Sequence, residues 1–69
     1  MKSTMDTLAT TISTLRKQRG FTQETLAQPL GVTFQAVSKW ENGGSAPDIQ
    51  LLPRLAELLD VHIDELFGI

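Results

Sequence analysis

The most restrictive feature of this sequence is a short connection, Pro29-Leu30-Gly31-Val32, set between two segments of helical character. Residues 23–28 place Leu26 and Ala27 on an inward face. The segment opened by Thr33 places Val37 and Trp40 inward and stops at Asn42-Gly43-Gly44. Pro29 is expected to close the first helix and Gly31 to form the turn, because glycine enters positive φ without a Cβ penalty. So short a connection cannot return the chain for antiparallel packing, and the two helices must cross at a steep angle. A small residue is needed where they touch, and Ala27 is in place.

Helical periodicity extends on both sides of this unit. From Thr7, residues Leu8, Ile12 and Leu15 fall at i, i+4 and i+7, and the helix is predicted to end in Arg16-Lys17-Gln18-Arg19 before Gly20. Residues 1–6 are expected to be a loose start. Phe21 precedes Thr22, which has the chemistry of an N-cap. Beyond the Ser45-Ala46-Pro47 loop, Asp48 should cap a fourth helix carrying Leu52, Leu55, Ala56 and Leu59. Pro53 is tolerable only near its start, so an irregular first turn is predicted. His62 opens a last helix over residues 63–67, with Asp64 and Glu65 in its positive first turn. No strand signal or internal repeat is present. The expected fold is all-α, five short helices in one domain spanning residues 1–69, with a helix-turn-helix unit over residues 23–42.

Composition narrows what such a domain does. With 69 residues the chain is too short for a dinucleotide fold or an α/β barrel. It has no cysteine and one histidine, so neither a disulfide framework nor a zinc site is expected. No export signal or membrane-length apolar run is visible, which makes the cytoplasm the expected location and a membrane partner unexpected. The net charge of −2 hides a polarity. Lys2, Arg16, Lys17, Arg19 and Lys39 face only Asp6 and Glu24 in residues 1–39, whereas Arg54 alone offsets Glu41, Asp48, Glu57, Asp60, Asp64 and Glu65 beyond them. One end can meet a polyanion while the other stays away.

The run from Arg16 to Ala27, then Leu30-Gly31-Val32-Thr33 and Ser38-Lys39-Trp40-Glu41-Asn42-Gly43, resembles the phage-repressor and Cro type of helix-turn-helix protein, the xenobiotic-response-element class. Pro47-Asp48-Ile49, Leu55-Ala56 and residues 61–66 fit the fourth and fifth helices of that family, so the resemblance covers about residues 8–67. It implies a λ-repressor-like domain binding double-stranded DNA as a transcriptional regulator, repression being expected over activation. Many relatives carry a sensor or dimerisation domain beyond this point.

A helix entering the major groove must present exposed polar side chains on one stripe. With Val37 and Trp40 inward, Thr33, Phe34, Gln35, Ser38 and Lys39 are left as base readers. Gln35 suits adenine, Lys39 suits guanine acceptors, and Phe34 suits a thymine methyl. The plain alternatives are a solvated face for the polar residues and a protein contact for Phe34. By resemblance, Gln23 and Asn42 contact phosphate on either side of the groove. Thr22 is a further phosphate candidate, although capping accounts for it. Lys17 and Arg19 add positive field. The resemblance also pairs Arg16 with Glu41 as a structural salt bridge.

Three departures stand out. Gly44-Ser45-Ala46 replaces the basic residues relatives often carry, leaving only backbone for phosphate and implying weak, salt-sensitive affinity. Thr25 replaces the glutamate that would complete a capping box with Thr22, and Pro29 sits where relatives continue the helix. One domain reads only about four to six base pairs, so a homodimer on a palindrome with half-sites about 34 Å apart is expected. Leu66, Phe67 and Ile69 form the candidate dimer patch, with Leu66 and Phe67 equally suited to the core. The alternative function is an antitoxin-like or other protein-interaction module that keeps the fold with little or no DNA binding. Asp60, Asp64 and Glu65 are expected to stabilise helix dipoles and His62 to take a cap position, so no catalytic residue, cofactor or small-molecule site is expected.

Overall fold

The computed structural model describes residues 3–69 and contains five α-helices. Helix α1 spans Thr4–Gln18, α2 Gln23–Leu30 and α3 Phe34–Glu41; a 3-10 turn at Ile49–Leu51 leads into α4, Leu52–Leu59, and α5 covers Ile63–Leu66. No strand occurs among the described residues. Helix α3 packs on both α1 and α2, α5 closes against α1 and α4, and α4 also meets α2. One core results, built on Leu8, Ile12, Leu26, Val37, Trp40, Leu55, Leu59 and Leu66.

Helix α1 begins earlier than its apolar periodicity indicates. Ser3 is its N-cap, its Oγ accepting the Asp6 N–H at 3.1 Å, so residues 4–6 are helical rather than loose. A hydroxyl cap followed by an acid in the first turn satisfies an orphan donor and the helix dipole without any apolar residue. Residues 1–2 lie outside the described part.

Helix α2 does not close at Pro29 but continues through Leu30. A proline in the last turn forfeits one backbone bond, whereas continuing the helix buries Leu30 on the face of Leu26 and Ala27. The stop is Gly31, at φ 70°, with the Val32 N–H reaching back to the Ala27 carbonyl at 3.2 Å. The capping box is also complete. The Thr22 N–H donates to Thr25 Oγ1 at 2.8 Å, and the Thr25 N–H donates to Thr22 Oγ1 at 3.0 Å. A threonine hydroxyl thus does what glutamate does in the usual box.

The irregular entry to α4 takes the form of the 3-10 turn, opened by Asp48 accepting the Gln50 N–H, with Pro53 in the first helical turn that follows. Helix α4 ends on Asp60 in the left-handed region at φ 58°. Asp60 is therefore at the negative end of α4, where a carboxylate does not stabilise the dipole; Asp64 and Glu65, in the first turn of α5, do. Glu65 also accepts the His62 N–H through Oε1 at 3.2 Å. Leu66 is 0% exposed and belongs to the core, which removes it from the candidate dimer patch. Phe67 is half-buried against the core, and Ile69 is 85% exposed.

Candidate nucleic-acid interface

The site is organised around one carboxylate. Arg16, on the last turn of α1, donates from Nε to Glu41 Oε2 at 2.6 Å and from Nη2 to Glu41 Oε1 at 3.1 Å. Its Nη1 donates to the Phe21 carbonyl at 2.9 Å. The amide of Gln23, first residue of α2, donates to the same Glu41 Oε1 at 3.1 Å. The Arg16 and Glu41 side chains are only 10% and 8% exposed. A forked guanidinium–carboxylate pair whose third nitrogen is also bonded fixes both separation and orientation. The end of α1, the start of α2 and the end of α3 are thereby tied at one point.

Helix α3 owes its own limits to Thr33 and Gly43. Thr33 Oγ1 accepts the Ala36 N–H at 3.3 Å, while Val37 and Trp40 anchor the inner face. At the far end Gly43 takes φ 81°, and the Gly44 N–H returns to the Lys39 carbonyl at 2.9 Å. Held at both ends, the helix presents Gln35, Ser38, Lys39 and Asn42 at i, i+3, i+4 and i+7, one stripe along its outer side. Thr33, Phe34, Gln35 and Lys39 are exposed, and Ser38 is half-buried.

The phosphate candidates separate into engaged and available groups. Thr22 is the α2 cap, and one donor of Gln23 is held by Glu41, which leaves its second amide N–H. Asn42 Oδ1 accepts the Gly44 N–H at 2.9 Å, which leaves its amide nitrogen. Arg19 is drawn elsewhere: its Nε donates to the Leu59 carbonyl at 2.9 Å, at the end of α4. That carbonyl is one of the orphan acceptors of a helix end, so Arg19 has a structural partner that the sequence reading did not assign. Lys17 is exposed.

The loop after α3 offers less than its sequence implies. The N–H groups of Gly43, Gly44 and Ser45 turn back to the Trp40 and Lys39 carbonyls, so the backbone expected to face phosphate is internally bonded. Asp6 is a neighbour that the sequence reading missed. Its Oδ1 lies 3.9 Å from where a Gly43 Cβ would stand, bringing an acid from α1 beside the same loop. No local signal announces this approach, because the two residues meet only once α1 packs on α3.

Shallow hollows of about 200 and 420 Å³ lie between α4 and α5, and no residue of α3 lines either. No helix among the described residues is long and apolar enough to cross a membrane.

Helices α2 and α3, joined through the Gly31 turn and tied by the bond from Gln23 to Glu41, with a polar stripe displayed on α3, define a helix-turn-helix protein. The chain belongs to the helix-turn-helix family of the Cro and repressor type, whose model matches residues 12–66. It is similar to the HTH-type transcriptional activator BcrR of Enterococcus faecalis, with 41% identity over 54 residues, 78% of this chain and 26% of that protein. An uncharacterized HTH-type transcriptional regulator of Methanothermobacter thermautotrophicus is 39% identical over 61 residues, 87% of this chain and 88% of the relative. The restriction-modification controller protein C.AhdI of Aeromonas hydrophila superposes with a TM-score of 0.80 at 29% identity, covering 90% of this chain and 94% of that one. The chain spans under half the length of several of the relatives it matches.

Proposed function

We propose that this protein binds double-stranded DNA with α3 in the major groove and regulates transcription as a two-fold dimer on a palindromic site. The observation that carries the reading is the polar stripe of exposed Gln35 and Lys39 with half-buried Ser38 between them, on a helix whose two ends are locked. Gln35 pairs with the N6 and N7 edge of adenine, and Lys39 reaches guanine O6 and N7. The N-terminus of α2, the Asn42 amide nitrogen and Lys17 position the backbone around it. Ile69 and the exposed part of Phe67 remain for the dimer contact.

Relatives of both directions match this chain, one named an activator and another a phage transcriptional repressor. The protein-interaction alternative draws on one specific arrangement: the inward-bonded loop after α3 with Asp6 beside it, which weakens the grip on phosphate.

Selection of random duplexes by the purified protein at moderate salt tests the reading. A palindromic motif is the expected result, and its half-site spacing fixes the dimer geometry. Lys39→Ala should cost about 1–3 kcal/mol and relax preference at one base position if Lys39 reads guanine. If Lys39 instead holds phosphate, affinity should fall evenly across sequences and the salt slope should drop by about one. No enrichment, with bulk duplex affinity unchanged in Lys39→Ala, would overturn the proposal in favour of the protein-interaction module.

A further inference from the structure

The outer stripe of α3 carries one residue that polar readout does not explain. Phe34 is the first residue of the helix and is 48% exposed, and it is absent from both the buried core and the apolar side chains packed against it. Its neighbours on the outer side, Thr33, Gln35 and Lys39, are polar and exposed. The oxygen of Thr33 accepts the Ala36 N–H, so the leading edge of the helix carries an aromatic ring next to a capping hydroxyl. A single exposed apolar residue is ordinary on a protein surface. Phe34 differs in its position, at the end of the helix that enters the groove first and nearest the base edges.

Resting on the DNA-binding reading above, we propose that Phe34 gives this protein a preference for a C5-methyl pyrimidine at one position of each half-site. In the major groove the C5-methyl is the only apolar group that a base pair presents, and phenylalanine has no hydrogen bond to offer the other edges. A ring that is half in water when free gains by covering that methyl and loses nothing polar in doing so. Gln35, the next residue, reads the neighbouring base by hydrogen bonds, so the two residues divide the work between methyl and amide chemistry. Thymine and 5-methylcytosine both carry the group.

The test uses duplexes containing the motif recovered by selection. Each thymine of one half-site is replaced in turn by deoxyuridine, which removes the methyl and leaves every hydrogen-bonding edge intact. One position is expected to lose affinity about fourfold, the effect of exposing one buried methyl-sized group. The same replacement should have no effect on Phe34→Ala. That variant is expected to keep its helix content and melting temperature, because the ring is outside the core. In the second arm the critical thymine is exchanged for cytosine or for 5-methylcytosine. A gain on methylation in the wild type, absent from Phe34→Ala, shows that the ring reads the methyl on either base. A loss with deoxyuridine and no gain with 5-methylcytosine confines the preference to thymine. Uniform tolerance of deoxyuridine, or an equal loss in Phe34→Ala, overturns the inference while leaving DNA binding intact. Failure to recover any motif overturns the parent reading instead.

Discussion

Helices α1 to α3 meet through a buried ion pair and a carboxylate that takes three donors, whereas α4 and α5 enter the same core with Leu55, Ala56, Leu59 and Leu66 and bring no buried charge. The surfaces differ as well. The first region carries most of the cations and the second most of the acids. Apolar packing is non-directional and fills volume. A satisfied polar network fails unless each group is in its place, so it specifies one arrangement. The region that must hold a helix at a defined angle uses directional bonds, and the region that supports it from behind uses leucines.

The largest effect should come from breaking the directional region. Glu41→Ala leaves the Arg16 guanidinium buried without its partner and should cost about 3–5 kcal/mol in urea unfolding. Replacing both residues with apolar side chains of similar volume should recover most of that loss, since no charge is then stranded. If Glu41→Ala costs less than about 1 kcal/mol, packing alone orients α3 and the contrast between the regions collapses.

Next in size is the apolar region. Leu66→Ala should cost about 2–5 kcal/mol by opening a cavity in the core. Ile69→Ala should change stability by no more than about 0.5 kcal/mol. Following both by denaturation and by sedimentation separates core from contact surface. Ile69→Ala is expected to shift only the monomer–dimer equilibrium, and an unchanged equilibrium would remove Ile69 from the dimer contact.

The smallest effect is a gain. Asp60 adopts φ 58° at the negative end of α4, so both backbone conformation and charge oppose it. Asp60→Gly should raise stability by about 1 kcal/mol, read as a higher melting temperature. No gain would mean that Asp60 has a compensating role and that the second region is less purely apolar than its buried residues suggest.

Much of the fold was legible because its signals are local. Thr22 and Thr33 announce helix starts, Gly20, Gly31 and Gly43 announce stops, and the apolar spacing from Leu8 to Leu59 marks inward faces, whereas Asp48 caps the 3-10 turn rather than α4, which starts after Leu51 with no side-chain cap. Where reading failed, a tertiary gain outweighed a local signal. Burial of Leu30 carried α2 past Pro29, and Ser3 extended α1 beyond its apolar pattern. The α3 stripe was legible once Val37 and Trp40 were assigned to the core, because helical geometry leaves the other residues outside.

The sequence by itself determined the number of helices, the threonine caps of α2 and α3, the Gly31 turn between them and the residues displayed on α3, since each depends on neighbours within about two helical turns. Only the tertiary structure decided which side chains are already engaged. Gln23 meets Glu41 across 18 residues, Arg19 meets Leu59 across 40, and Asp6 approaches Gly43 from the opposite end of the unit. Such partners are chosen by how the helices pack, because a long polar side chain takes whichever carbonyl or carboxylate the fold brings within hydrogen-bond reach.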